Sequence, residues 1–361
     1  MRKHNFFVRT LPMLIFLLSA TVSVAQFENI KIIKEVKCGP VENQKMSSTC
    51  WSFATCSFIT SELIRMGKPA VNLSEMYFVR KAYEQKAVYY RRLQGNANFG
   101  PGGQAHDVMN MMRDYGAVPE SVYTGLDSSG QMIDHEVMDA LLLDIVKLAV
   151  KDNLSEKSIN AFIAVLDSYL GKVPENFTYE GKSYTPKTFA ESLTLNPDDY
   201  IEFTSYTHHP FYKSFRLEVP DNWAFGDYYN LPIDELMQII DNALDNGYSV
   251  DWDGDVSDDQ KFSANGGVAK LSDESIPVTQ KKRQEGFDDY DVTDDHLMHI
   301  TGYGKDASDK KFYLTKNSWG TAKGHEGFWF MSDAFVRYKT IAIMVHKDAV
   351  PAAIKAKLGI K

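Results

Sequence analysis

The chain has 361 residues, 44% of them hydrophobic and 12% aromatic, which is enough apolar material to build one large domain or two. A formal net charge of −9, with no basic tract beyond "KKR" at 281–283, argues against a nucleic-acid binder. Three cysteines, Cys38, Cys50 and Cys56, are too few for a disulfide scaffold, and their odd number leaves at least one thiol free or paired between chains.

The opening stretch, "MRKHNFFVRTLPMLIFLLSATVSVAQ", carries Arg2, Lys3 and Arg9, then an apolar run from Leu11 to Leu18, then Ser23-Val24-Ala25. This pattern predicts a secretory signal peptide over 1–25, cut after Ala25, and hence an exported protein, periplasmic or secreted. The apolar run is too short to span a bilayer, so no membrane span is expected once it is removed.

Residues 50–66 read as a helix with Trp51, Ala54, Phe58 and Ile59 on one face, stopped by "GKP" at 67–69. "LSEMYFVRKAYEQKAVYYRRL" reads as a second helix capped by Ser74 or Asn72. A glycine-rich loop, "NANFGPGG", leads into a third over "QAHDVMNMMRDYG". The pattern over 133–170 is helical, and "PIDELMQIIDNALDNG" starts on Pro232 and stops at Gly247. Short β-rich runs follow, "YSVDWDGDV", "HLMHITGYG", "KFYLTKNSW", "GFWFMS" and "KTIAIMVHK". Helices first and strands later predict an α+β fold.

A free cysteine is most often a small buried hydrophobe. Cys50 differs in standing where a helix begins, so unpaired amides and the positive end of the helix dipole favour its thiolate. Gln44, six residues upstream, can offer an amide to an oxyanion beside the sulfur. Thiol catalysis also needs a base and a group to orient it. Of nine histidines, His4 leaves with the signal, His208 and His209 sit in the polar "YTHHPFY", and His106, His135, His325 and His346 lack a motif partner. His296 and His299 remain, and strand alternation lets only one of them face a cleft. "KNSWG" at 316–320 supplies Asn317, whose oxygen can hold an imidazole in one tautomer, and Trp319, which can shield that bond.

Taken in order, "NQ", the Gln44–Cys50 spacing, "CWSFA", "LSE", "GG", a histidine six residues before the glycine of "GYG", and "NSWG" resemble the papain superfamily of cysteine peptidases. "NQKMSSTCW" and "GGQAHDVMNMMRDYGAVPESVY" are most similar to its aminopeptidase C and bleomycin hydrolase branch, as are the runs around "THHPFY" and "PIDELM". The resemblance implies a nucleophile at Cys50, a base at His296 rather than His299, an orienting Asn317 and an oxyanion donor at Gln44. It also implies that Gly102 and Gly103 pair with the substrate backbone. The expected enzyme has two lobes and works through a thioester on peptide substrates, with no cofactor and no metal.

The same resemblance divides 26–361 into a helical lobe at about 40–125, a helical insertion at about 126–200, a β-rich lobe at about 200–348 and a short tail at 349–361. Aminopeptidase activity is the expected function, a papain-like endopeptidase the alternative, and a retired peptide-binding protein a third reading.

Several features depart from the family. Ser48 and Thr49 replace the usual glycine-containing pair, Ser47 stands where secreted relatives have a disulfide cysteine, and Gln26 to Gly39 is too short for an inhibitory propeptide. In the resembled branch the C-terminal carboxylate meets the substrate's ammonium group. Here the residues from Pro351 read as a short helix that advances only about 1.5 Å per residue, too little to reach a cleft as a strand would.

Three further features are set aside. "DWDGDVSDDQKF" has Asp251, Asp253 and Asp255 in calcium-loop spacing, but its glycine is in the fourth position and Phe262 in the twelfth. "FDDYDVTDD" at 287–295 reads as a solvated acidic loop that could shape the cleft mouth. Cys38 could pair with Cys56 in an oxidising compartment.

Overall fold

The computed structural model describes residues 30–126, 134–151, 156–257 and 266–361; the expected signal peptide lies outside them. No described helix is long and apolar enough to cross a membrane.

After a first strand, β1 (Lys31–Glu35), the chain builds a helical lobe from α1 (Cys50–Arg65), α2 (Glu75–Arg92) and α3 (Ala105–Tyr115). Ser74 caps α2 by accepting from the Tyr77 amide, and Gln104 with Asp107 forms a reciprocal cap on α3. Helix α1 is buried on nearly every side rather than along one face, because it lies between α2 and α3 on one flank and the later sheet on the other. Its small polar residues make that possible. Ser52 donates to the Glu75 carbonyl at 2.8 Å and Thr60 to the Val71 carbonyl at 3.0 Å, so their hydroxyls are satisfied inside the core.

Next come α4 (Glu136–Lys151) and α5 (Glu156–Leu170), a hairpin of β2 (Phe177–Tyr179) and β3 (Lys182–Tyr184), and α6 (Pro186–Leu193). The stretch expected to be helical therefore contains a β-hairpin. Tyr179, Tyr184 and Phe177 of the hairpin pack on Phe189 of α6, an aromatic knot whose isolated tyrosines gave no periodicity to read. Arg80 of α2 ties this segment down, donating to Asp167 at 2.6 Å and to the Gly171 carbonyl at 2.8 Å.

The sheet lobe contains β4 (Tyr200–Thr204), β5 (Ser214–Arg216), β6 (Asp227–Asn230), α7 (Ile233–Asp245), β7 (Val250–Gly254), β8 (Val268–Ala269), α8 (Gln280–Asp288), β9 (His296–Lys305), β10 (Lys311–Lys316), β11 (Phe328–Ser332), α9 (Asp333–Lys339), β12 (Thr340–His346) and α10 (Ala352–Leu358). Ten strands form one sheet in the order β5-β6-β4-β12-β7-β9-β10-β11-β8, with β1 paired to β9. Two apolar cores result, one around α1 to α6 and one between the sheet and α7. The architecture is α+β with two lobes, as expected.

One expectation is corrected here. Part of "FDDYDVTDD" is the end of α8, and its Asp294 is half-buried rather than solvated. Cys38 and Cys56 are both free thiols, so no bridge joins them. Asp251, Asp253 and Asp255 lie on or beside the buried strand β7, within the β-rich run expected at "YSVDWDGDV".

Candidate active site

Cys50 is the first residue of α1 and half-buried, and as the first helical residue its amide has no partner within the helix. The turn that delivers it is tight, with Lys45 and Ser48 at positive φ of 48° and 54°. From the other lobe, β9 brings His296 to the same cleft of about 330 Å³, which Gln44, Cys50, Gly102, Gly103 and His296 all line.

The two candidate histidines part as alternation requires. Met298 and Ile300, in phase with His296, enter the sheet-lobe core, while His299 turns toward α1 and meets the Ser57 hydroxyl at 2.9 Å.

His296 Nε2 lies 2.8 Å from Asn317 Oδ1, and the same oxygen accepts from the Ser318 amide at 2.7 Å. A backbone N–H can only donate, so the atom facing it must be the amide oxygen. His296 Nε2 therefore carries the proton, and Nδ1 remains as the acceptor for a thiol proton. Trp319 covers this bond, its ring 4.9 Å from the imidazole and tilted by 34°.

Gln44 is fixed by a residue that sequence reasoning passed over. Ser318 accepts from the Gln44 amide at 2.8 Å and its hydroxyl donates to Gln44 Oε1 at 2.5 Å, which leaves Nε2 as the amide's donor at the cleft. Ser318 stands inside the quoted "NSWG", but nothing in its identity announced a hand in positioning the glutamine.

Trp51, fully buried, donates to the Pro101 carbonyl at 2.9 Å and anchors the glycine loop to the start of α1. A Cβ on Gly103 would sit 3.0 Å from the Trp51 ring, and one on Gly102 would overlap the Asp221 carboxylate. Gly102 thus makes room for a protein side chain as well as for substrate. Lys86 supports the loop from beneath, donating to the Gly100 carbonyl at 2.7 Å and to that of Gly102. Burial pushes its ammonium down to about 8, against the pull of Asp107, Asp221 and Asp139.

Burial pushes the Cys50 thiol up, and Asp294, Asp253 and Asp221 push it further, against an amide donation from Leu297. Burial holds the His296 imidazole down at about 4, against the bond to Asn317.

Among the described residues one cluster has metal-ligand spacing, His208, His209 and Glu218. Both Nε2 atoms face Glu218, at 3.1 and 2.6 Å, and Gln284 Nε2 stands 3.0 Å from His208 Nδ1. That arrangement places the His208 proton on Nε2, where it satisfies Glu218, and none of the three lines the cleft.

The profile of the Peptidase C1-like family matches residues 17–360, and the chain belongs to that family; it is a cysteine-type peptidase. Aminopeptidase G of Lactobacillus delbrueckii subsp. lactis is 25% identical over 360 residues, covering 87% of this chain and 82% of the relative. Aminopeptidase C of Streptococcus thermophilus is 26% identical over 362 residues, covering 86% and 81%. The crystal structure of PepW from Lactobacillus rhamnosis superposes with a TM-score of 0.73 at 21% identity, covering 91% of this chain and 84% of that one, which shows the shared fold.

Proposed function

We propose that the protein is an exported cysteine aminopeptidase that cleaves peptide bonds next to a free amino end through a thioester at Cys50. The observation that carries this reading is the tautomer set by Asn317 and Ser318, which leaves His296 Nδ1 free to accept a proton. His296 takes the Cys50 proton as substrate displaces water, and the sulfur attacks the peptide carbonyl. The tetrahedral oxyanion is met by Gln44 Nε2 and the Cys50 amide. His296 returns its proton to the leaving amine, and water, with the same base, hydrolyses the thioester. Asn317 holds the imidazole throughout.

Cleavage at the amino end is supported by the names that the relatives carry. One observation favours the second reading, an endopeptidase: Ile354, Leu358 and Ile360 of the C-terminal tail pack in the sheet-lobe core, and no residue of 349–361 lines the cleft. Rates on a free-amino aminoacyl fluorogenic substrate, on its N-acetylated form and on a longer blocked peptide decide between them. Faster cleavage of the blocked peptides refutes the exopeptidase reading, and wild-type turnover in Cys50→Ala refutes the nucleophile. Export is tested by amino-terminal sequencing of the mature protein, with Gln26 expected as its first residue; an intact Met1 refutes it.

A further inference from the structure

The cleft is charged against its own chemistry. Asp221 and Asp294 both line it beside Cys50. Asp221 is held over Gly102 by the Asn98 amide, which donates to it at 2.9 Å, and Asp294, two residues before His296, accepts from Gln104 Nε2 at 2.7 Å. Beneath them Asp253, on β7 opposite Leu297, is only 3% exposed, and neither of its carboxylate oxygens receives a hydrogen bond. Its carboxyl sits against that of Asp294; burial and then the Asp294 charge push Asp253 up, while burial and the Asp221 charge push Asp294 up against the hydrogen bond from Asp253.

Lys86 is the cation felt by Asp221, and its Nζ is already engaged by the carbonyls of Gly100 and Gly102. Three carboxyls around a nucleophile that must become an anion oppose the first step of the reaction. The arrangement becomes favourable when the ligand itself brings a positive charge.

We propose that Asp221 and Asp294, backed by Asp253, form the site that receives the substrate's α-ammonium group, so that the residue whose carbonyl Cys50 attacks is the first of the peptide. This rests on the aminopeptidase reading and names the groups responsible for it. The position of Asp221 agrees. Its carboxylate stands directly over Gly102, in the cleft that Gly103 and Asp294 also line, beside the residues expected to pair with the substrate backbone. The C-terminal tail packs elsewhere, in the sheet-lobe core.

Two measurements separate this proposal from the reading it rests on. In the Cys50→Ala protein, calorimetry compares phenylalanine amide with its deamino analogue, 3-phenylpropionamide. Selective binding of the amine is expected, with the difference abolished by Asp221→Asn or Asp294→Asn. In the active enzyme, the ratio of kcat/KM for a free-amino substrate over its deamino analogue should fall about tenfold or more in either variant, as expected when a charge-assisted contact becomes a neutral one. An unchanged ratio in both variants, or equal binding of amine and deamino ligands, overturns the site. An acetylated lysyl substrate cleaved as fast as the free-amino one would assign the carboxylates to a side-chain cation and overturn the α-ammonium. If the Cys50→Ala protein binds the amine through these aspartates while the wild type prefers blocked peptides, the site stands and the aminopeptidase reading falls.

Discussion

Asn317→Ala removes a single oxygen with two duties. Oδ1 accepts from His296 Nε2 at 2.8 Å and from the Ser318 amide at 2.7 Å. During turnover the first becomes a bond to an imidazolium, worth about 1.5–3 kcal/mol, or about ten- to a hundredfold in rate. The loss should fall toward the upper end, because a released Ser318 also loosens its hydroxyl on Gln44 Oε1. The unpaired, buried Ser318 amide should lower stability by about 1–3 kcal/mol. The assay is kcat/KM on an aminoacyl fluorogenic substrate, together with the pH dependence of Cys50 alkylation by iodoacetamide and a thermal melt. The variant should fold, melt at a lower temperature and alkylate at Cys50 only at higher pH than the wild type. A folded Asn317→Ala protein with wild-type kcat/KM and an unshifted alkylation profile would refute the tautomer argument.

Three other perturbations follow from the same structure. His296→Ala should abolish turnover, whereas His299→Ala, which removes a fully buried ring bonded to Ser57, should lower the melting midpoint but keep kcat/KM per folded molecule within a few-fold; equal rate losses would refute the assignment. Lys339→Met removes the cation paired with Asp255 at 2.9 Å, both side chains buried, while the Ser257 amide and hydroxyl and the Thr293 amide still donate to that carboxylate, and should destabilise the fold by about 1.5–3 kcal/mol in a denaturant titration; an unchanged midpoint would show that those donors alone suffice. At His106 burial opposes the charge, but Glu202 at 2.7 Å and Asp107 outweigh it and push the imidazole up to about 9. Since its folded pKa is raised above the usual 6.5, its contribution is full below pH 6.5 and lost as pH rises through about 9, so His106→Gln should flatten the fall in melting temperature over that window.

Much of this molecule could be read from punctuation. Ser74 and Gly67 bounded helices where they were expected to, and Pro232 and Gly247 framed α7. The strands with long β-branched or aromatic runs, β9 to β12, were visible for the same reason. Strands β4 to β6 were not. They are three to five residues long and are held by successive pairing, β4 on β12, β6 on β4 and β5 on β6, rather than by any pattern of their own.

Helix α8 was hidden by its composition. "QKKRQEGFD" reads as a solvated charged run, yet Arg283 is 1% exposed, donating to the carbonyls of Arg337 at 2.7 Å and Thr340 at 2.8 Å. A buried arginine whose hydrogen bonds go to backbone carbonyls, its guanidinium lying over the Tyr206 ring, leaves no mark in the sequence of those bonded partners. The spacing of Gln44, Cys50, His296 and Asn317 was legible because it is carried by residue types whose chemistry is specific. The supporting groups, Ser318, Lys86 and Asp221, were not, because each acts through a contact between segments far apart in the chain.

The three residues at the end of β10 explain why the two lobes hold one geometry. Lys316 reaches back into the helical lobe, donating to the Gly39 carbonyl at 3.0 Å and to the Ser57 hydroxyl of α1 at 2.8 Å. Asn317 turns the other way and holds His296, and Ser318 grips Gln44 through main chain and side chain. The proposed nucleophile on one lobe and the proposed base on the other need their separation fixed, and one tripeptide ties the two lobes together beside them. Drawing the lobes apart would break the Lys316 and Ser318 bonds together and leave the Lys316 ammonium, already pushed down by burial, without its acceptors. Substrate must therefore enter a cleft whose width is set before it arrives. In such a cleft selectivity comes from the lining, and here Asp221, Asp294 and Asp295 are part of it.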